Sequence, residues 1–164
     1  MAASACIDVR HYYVDRVLDL RLGEAARGVK CVSLSEDVFN DHFPGNPVLP
    51  GVYLVEGMAQ TAGILLERTT GGKRVALMVS IDRARFLGFA RPGDQVQFEV
   101  TVESLQDDAC RVMASAKIAD RTIASARLSF SLVERGRLIP PGYEAYWEHT
   151  LATWRGEYLD LKDD

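Results

Sequence analysis

The sequence lacks any long hydrophobic run, and no stretch approaches the roughly 18 apolar residues of a membrane span. Its N-terminus, MAASACIDVRHYY, has neither a basic start nor a continuous apolar segment, so we expect no secretion signal. Cysteine is scarce, and the three cysteines form no CxxC pair. A disulfide framework and a zinc site are therefore not expected. These absences favour a cytoplasmic protein that does not associate with a membrane.

An excess of positive charge is also missing, since the net charge is −4. Nucleic-acid phosphates require a basic surface, so we expect no nucleic-acid partner. The charge is unevenly distributed, because residues 67–91 contain six basic side chains against two acidic ones. That stretch carries +4 and the remainder of the chain carries −8.

Alternation of apolar and polar residues dominates the sequence and predicts strands. Apolar side chains occupy every second position in residues 96–102, 110–118 and 124–132, with a tight turn expected at Asp120 and Arg121. Two shorter candidate strands, residues 14–22 and roughly 26–34, flank a turn at Gly23. Long strands with one polar face and short connections predict an antiparallel sheet.

The segment VYLVEGMAQTAGILLER, residues 52–68, lacks this alternation and follows a stretch rich in proline and glycine. Its length predicts a helix of four to five turns that ends near Gly71 and Gly72. The segment is apolar nearly all round, which predicts burial. Gly57 and Gly63 each disfavour a helix by about 1 kcal/mol, so we expect neighbouring backbone to pack very close to them. The predicted architecture is one buried helix wrapped by a curled antiparallel sheet.

The composition changes after residues 139–142, which read Ile-Pro-Pro-Gly. We divide the chain into a domain at 1–134 and a helical extension at 135–164. Beyond the change, an apolar stripe predicts a C-terminal helix, with residues recurring every three or four positions: Trp147, Leu151, Trp154, Tyr158 and Leu161. We expect this stripe to pack on the chain's own domain or on a sister subunit, and a helix that binds a separate partner is the alternative.

The stretch between Asp41 and Gln60 contains the groups that acid–base chemistry requires. His42 lies in a loop whose prolines and glycines fix an irregular backbone, although a structural or surface histidine would also fit there. Glu56 lies within the apolar helix, where an unpaired carboxyl group tends to keep its proton and can serve as a general acid. The alternative is a structural carboxylate bonded to Gln60 or to a polar residue of the sheet.

Gly51 stands at the predicted start of the helix, where backbone N–H groups lack partners and the dipole favours negative charge. A thioester oxygen placed there would be stabilised as an enolate develops, typically by about 3–4 kcal/mol per donor. We therefore expect His42 to remove a proton alpha to a thioester carbonyl, and Glu56 to protonate a departing beta hydroxyl.

The segment HFPGNPVLPGVYLVEGMAQTAG closely resembles the signature of the 3-hydroxyacyl-acyl-carrier-protein dehydratases of type II fatty acid synthesis. The segments SIDRARFLGFARPGDQVQFEV and VDRVLDL resemble two further blocks of that family, so the similarity covers residues 14–134. The resemblance implies a hotdog fold of the α+β class, with the C-terminal helix as an addition. The extension after about Arg135 has no counterpart in the family.

The resemblance places the family's catalytic pair on His42 and Glu56 and its oxyanion glycine on Gly51. It implies that the two catalytic groups facing one substrate come from different subunits, hence a homodimer or a trimer of dimers. Glutamate at position 56 favours simple dehydration over additional isomerisation. No cofactor or metal is implied, since the substrate is carried on phosphopantetheine. Five further residues are expected to line the substrate site: Phe43, Pro50, Val52, Gln60 and Phe86.

An acyl carrier protein is the partner that the resemblance implies, and it is acidic. An acidic enzyme would repel it unless a basic patch lay at the tunnel mouth. Arg83 and Arg85 are the leading candidates for that docking patch, with Lys73, Arg74 and Arg91 as weaker ones. Ion pairs within or between subunits are the alternative for these side chains. Two other functions stay open, namely a hotdog acyl thioesterase and a non-catalytic acyl-binding subunit.

Overall fold

A six-stranded sheet forms the main layer of the computed structural model, which describes residues 11–155. The spatial order is β1-β2-β4-β5-β6-β3, and each neighbouring pair is antiparallel. The strands are β1 Arg16–Arg21, β2 Ala25–Cys31, β3 Arg74–Phe86, β4 Gln95–Leu105, β5 Ala109–Ile118 and β6 Arg121–Glu134. The first helix, α1 Gly51–Thr69, packs on the sheet, and a 3-10 turn at Asp37–Asn40 precedes it.

The predicted alternation of β4, β5 and β6 is confirmed, because their even-numbered apolar residues point into the core against α1. Phe98, Val112 and Leu128 are fully buried there. The turn between β5 and β6 lies one residue earlier than predicted, at Ala119 and Asp120, and Ala119 adopts a φ of 50°.

The prediction was less accurate at the first two strands. Leu18 is exposed on β1, at an edge of the sheet, and Leu22 is exposed in the turn after β1, although their alternation predicted burial. Strand β2 ends at Cys31, so Leu34 lies beyond it in an exposed turn. An edge strand has a partner on one side only, so alternation there does not ensure a covered apolar face.

Helix α1 is buried along most of its length, as predicted, and covers 19 residues. Two left-handed glycines end it: Gly71 has φ 63° and Gly72 has φ 75°. The Gly71 N–H donates to the Arg68 carbonyl at 3.1 Å, and the Gly72 N–H donates to the Glu67 carbonyl at 2.9 Å. These bonds satisfy terminal carbonyls that the helix itself leaves free.

The two glycines inside α1 differ from each other. A Cβ on Gly57 would overlap the ring of Phe98, so a side chain rather than backbone makes the close approach. A Cβ on Gly63 would meet no atom within 4 Å. The expectation of close backbone packing at Gly63 is therefore wrong, and this position faces open space.

Strand β3 was not predicted as a strand, although it has 13 residues. It pairs only with β6 and forms one edge of the sheet. Most of its side chains are exposed, including Val79 at 65% and Ile81 at 49%. Its apolar residues come in a run followed by charged ones, so no period of two marks it in the sequence.

After β6 the chain forms a short turn of helix, α2 Arg135–Leu138, and then α3 Glu144–Arg155. Leu151 and Trp154 pack on Ile64 of α1, so this part of the apolar stripe contacts the chain's own domain. Tyr158 and Leu161 lie outside the described residues, as do details of the Trp147 side chain. Within residues 11–155, no helix is long and apolar enough to cross a membrane.

Candidate active site

His42 is held by the loop that connects the 3-10 turn to α1. Its N–H donates to the Val38 carbonyl at 2.9 Å, and its carbonyl accepts from the Val48 N–H at 3.0 Å. Nδ1 of the half-buried ring lies 2.7 Å from the Val48 carbonyl oxygen. A carbonyl only accepts, so Nδ1 carries the hydrogen and Nε2 of the neutral ring has a free lone pair. The ring is thereby oriented as a base at Nε2.

Gly51 is the first residue of α1, directly after Pro50. Its N–H is one of the donors in the first turn that have no carbonyl acceptor within the helix. The ring of Phe86, at the end of β3, lies 2.8 Å from the position that a Cβ on Gly51 would occupy. Any side chain at this position would therefore collide with the ring. The structure brings the predicted oxyanion residue and the predicted substrate residue Phe86 into direct contact.

Glu56 lies one and a half turns further along α1 and is half-buried. Its Oε1 accepts a hydrogen bond from Gln60 Nε2 at 3.0 Å. Gln60 Nε2 also donates to the His11 carbonyl at 2.8 Å, and Gln60 Oε1 accepts from the Tyr13 N–H at 2.9 Å. The carboxyl group is therefore fixed by a side chain that is itself anchored to the N-terminal segment. Gln60 acts here as a support for Glu56.

A groove begins at Glu56 and runs along α1; we call it the Glu56 groove. Its volume is about 190 Å³. Helix α1 contributes Glu56, Ala59, Gln60, Gly63, Ile64 and Glu67, and the remaining walls are Val75, Ala76 and Met78 of β3, Phe130 of β6 and Trp154 of α3. Most of this lining is apolar, which suits an acyl chain better than a polar substrate.

His42 does not belong to the lining of the Glu56 groove among the described residues. The groove thus contains only some of the groups that the sequence predicted as one site. Glu56 and Gln60 line it, whereas His42 is bonded to Val48 and Gly51 contacts Phe86 outside that lining. Phe43 and Val52 are both exposed, and the Phe43 ring stacks on His42 with centroids 4.1 Å apart.

Tyr13 was not predicted from the sequence and lies beside the Glu56 part of the site. Its ring is 4.5 Å from that of Tyr53, which precedes Glu56 by one turn of α1. Burial, followed by the hydrogen bond with Tyr53, raises the pKa of Tyr13 to about 12. The phenol is therefore neutral at physiological pH and adds no negative charge near Glu56.

Glu67 and Trp154 were also missed as groove residues. For Glu67 the sequence holds a signal, because positions 56, 60, 63 and 67 follow helical spacing and share one face of α1. Glu67 is only 2% exposed, and Arg135 Nη1 lies 3.9 Å from its Oε1. Trp154 comes from a separate helix, and no local pattern places it against α1.

The predicted docking arginines lie on β3, where Arg83 is opposite Arg127 of β6 and Arg85 is opposite Ser125. Arg127 is paired with Glu103 at 2.8 Å. Neither Arg83 nor Arg85 forms an ion pair with any residue between 11 and 155. Arg91, by contrast, donates to the Asn46 side chain at 2.7 Å and so has a structural role.

Comparison with known proteins assigns the chain to a family. A family model described as a FabA-like domain matches residues 11–127. The 3-hydroxyacyl-acyl-carrier-protein dehydratase FabZ of Thermoanaerobacter sp. (strain X514) is 39% identical over 124 residues, which cover 75% of this chain and 87% of that protein. The protein of the same name from Caulobacter sp. (strain K31) is 39% identical, covering 76% of this chain and 78% of that one.

A solved structure agrees on the fold. The hot-dog-like protein from Thermanaerovibrio acidaminovorans superposes with a TM-score of 0.60 at 24% identity, covering 79% of this chain and 93% of that one. The fold thus defines a hotdog protein, with α1 packed on a curled antiparallel sheet, as the sequence predicted. Within that class, the chain belongs to the FabA-like family.

Proposed function

We propose that this chain dehydrates 3-hydroxyacyl groups carried as thioesters on acyl carrier protein and forms trans-2-enoyl thioesters. The observation that carries the proposal is Glu56, a carboxyl group fixed by Gln60 at the start of an apolar groove. Relatives that bear the name of this dehydratase, at 39% identity over most of the chain, support the same function. The reaction belongs to fatty acid synthesis or to a related polyketide or polyene route.

Three residues have separate roles in the reaction: one removes a proton, one stabilises negative charge and one donates a proton. Nε2 of His42 takes the proton from the carbon alpha to the thioester carbonyl. The Gly51 N–H holds the oxygen on which negative charge develops. The electron pair then forms the carbon–carbon double bond, while Glu56 protonates the beta hydroxyl and water leaves. Because every step is a proton transfer or an elimination, the mechanism uses no metal or cofactor beyond the carrier's phosphopantetheine.

A second copy of the chain completes this site in our proposal, since His42 is not among the residues that line the Glu56 groove of its own chain. Strand β3 is the edge at which the copies meet. Its exposed apolar residues include Leu77, Val79 and Ile81. An apolar edge strand left open would be liable to pair with other chains, so a specific partner strand is favoured. The assembly is a homodimer or a trimer of such dimers.

The carrier protein docks, in the same proposal, on the basic face formed by Arg83 and Arg85. Arg85 directly precedes Phe86, whose ring contacts Gly51, so the end of β3 that carries the arginines is next to the oxyanion residue. The arginines themselves lie with Met113, Ser125 and Arg127 on the face of the sheet opposite α1. Replacing both arginines by glutamate is expected to raise KM for the acyl carrier protein substrate at least tenfold. The same substitutions should leave turnover of a short pantetheine thioester unchanged, because that substrate lacks the acidic protein.

The setting of the enzyme follows from the same function, and we place it in the cytoplasm. Exposed Cys31 and buried Cys110 are both free thiols, which suits a reducing compartment. The carrier-bound substrate makes neither nucleic acid nor a membrane necessary as a partner.

The test is incubation of the purified protein with short and medium 3-hydroxyacyl-carrier-protein thioesters, followed by mass spectrometry. Loss of water from the acyl group is expected for the wild type. His42→Ala and Glu56→Gln should each lower kcat by at least about 10²-fold, the range typical of general acid–base groups. Release of a free thiol would instead indicate a thioesterase. Binding of acyl thioesters without turnover would indicate an acyl-binding subunit and overturn the proposal.

A further inference from the structure

The Glu56 groove has a definite length along α1. Its helical wall runs from Glu56 to Glu67, twelve residues over which the helix rises by about 16 Å. Gly63 lies midway, and its missing side chain leaves open space at that point. A bulkier residue there would project into the groove. The groove therefore offers an extended, apolar path that starts at the proposed acid.

Next to Gly63, the groove is walled at the level of Ile64 by Trp154, which comes from α3. The family match ends at residue 127, so this wall lies outside the FabA-like domain. Trp154 is 7% exposed and is fixed on several sides. Its ring makes an edge contact with that of Tyr12 at 5.2 Å, and it packs with Ile64 and Leu151.

Charged side chains lie at the end of the Glu56 groove that is formed by Glu67. Arg135 Nη1 lies 3.9 Å from Glu67 and 2.9 Å from Glu148. Arg135 follows β6 directly, and Glu148 belongs to α3, so both come from the extension. An apolar chain that grew past Trp154 would meet a buried carboxylate and its arginine, which disfavours further extension.

We propose that the C-terminal extension sets the length of acyl chain that this enzyme accepts, with Trp154 as the residue that closes the Glu56 groove. The inference rests on the proposed dehydratase function. It assigns a specificity-determining role to a part of the chain that the family domain does not contain. The acyl chain enters beside Glu56, passes Gly63 and ends against the indole.

The experiment measures kcat/KM for a series of 3-hydroxyacyl-carrier-protein substrates of increasing chain length. Trp154→Ala should remove this wall and raise the ratio of long-chain to short-chain kcat/KM by about 15-fold for a two-carbon extension, given about fourfold per buried methylene. Gly63→Leu should lower that ratio by a similar factor. Tyr143→Ala, an exposed aromatic residue of the same extension, is the matched control and should change nothing.

The outcomes separate this inference from the proposed function. If the wild type dehydrates no member of the series, the proposed function fails. If the wild type is active but both variants keep its chain-length profile, the function stands and the role of Trp154 is refuted. Detachment of α3 in Trp154→Ala would open the same part of the groove, so the same gain with long chains is expected. Gly63→Leu tests the groove independently of α3.

Discussion

Gln60 connects the proposed acid to the rest of the protein. Both of its polar atoms are engaged, with Nε2 bridging Glu56 and the His11 carbonyl and Oε1 accepting from the Tyr13 N–H. Such a side chain determines where the Glu56 carboxyl group points. Proton donation depends on that orientation, since a displacement of about 1 Å can cost 10²-fold in rate.

Replacement of Gln60 by leucine tests this positioning role. The variant should lower kcat by about 10-fold to 100-fold with little change in KM, because the carboxyl group remains but loses its support. Its free energy of unfolding should fall by about 1–3 kcal/mol, as the Tyr13 N–H loses its acceptor. Exposed Gln106→Leu serves as the control. A Gln60→Leu enzyme with wild-type kcat would show that Glu56 needs no such support.

Cys110 provides a pH-dependent prediction. The side chain is 4% exposed on β5, and burial raises the pKa of its thiol from 9.0 to about 11. The unfolded thiol ionises first, so the stabilisation from the buried neutral thiol is complete below pH 9 and is lost as pH rises towards 11. The stability advantage of the wild type over Cys110→Ala should therefore shrink between pH 9 and 11 in urea unfolding. Cys31→Ala, at an exposed site, should show no such trend.

Among the elements, α1 is seated on the sheet through Gly57. The Phe98 ring occupies the space that any larger residue at position 57 would need. Phe98 itself is fully buried on β4, so it cannot swing aside into solvent. The helix can approach the sheet this closely only because the contact residue has no side chain.

Two alanine substitutions on α1 measure this contact. Gly57→Ala should lower the free energy of unfolding by about 1–3 kcal/mol through overpacking, despite the better helix propensity of alanine. Gly63→Ala should leave stability unchanged or raise it by roughly 0.5–1 kcal/mol, since its Cβ meets open space. Thermal unfolding of the two variants provides the comparison. Equal effects would contradict the difference in packing.

The elements differ in how well their sequences predict them. Residues 52–68 and the three long alternating stretches predicted α1, β4, β5 and β6, because each buries one continuous face in the same core. Strand β3 was not predicted because both of its faces are largely exposed in one chain. Its sequence therefore does not alternate between buried apolar and exposed polar residues. Leu18 misled the prediction for the related reason that β1 forms the opposite edge of the sheet.

The site shows the same division. His42, Gly51 and Glu56 were proposed as site residues from the sequence because they lie within one rigid loop and the helix that follows it. Trp154 and Met78 were not, since the groove is formed by segments that are distant in sequence and meet only after folding. The family and the hotdog fold were predicted from the central motif, and both are confirmed.

For the whole molecule, the proposed dimer accounts for two observations, namely that His42 does not line the Glu56 groove and that β3 has an apolar edge. In that proposal each chain supplies half of two sites, and pairing across β3 would bring the halves together while covering Val79 and Ile81. A symmetric dimer repeats the contact twice, so both sites are completed by a single interface. Assembly is then a condition for catalysis.

Mixing two inactive variants tests this arrangement directly. In a His42→Ala and Glu56→Gln heterodimer, one site contains both substitutions and the other contains neither. If the subunits of a 1:1 mixture assemble at random, half of the dimers are mixed, and about a quarter of wild-type activity should return. If His42 and Glu56 of the same chain formed one site, the mixture would regain no activity.

The matched control combines both substitutions in one chain and co-assembles it with the wild type. If each site is formed by two chains, both sites of every mixed dimer are defective, and about a quarter of the wild-type activity should remain. If each site is formed by one chain, about half of the activity should remain. Agreement of the two experiments would assign His42 and Glu56 of each site to different subunits. No recovery in the first mixture, together with half of the activity in the control, would require the two groups to meet within one chain, by a movement of the His42 loop towards the Glu56 groove.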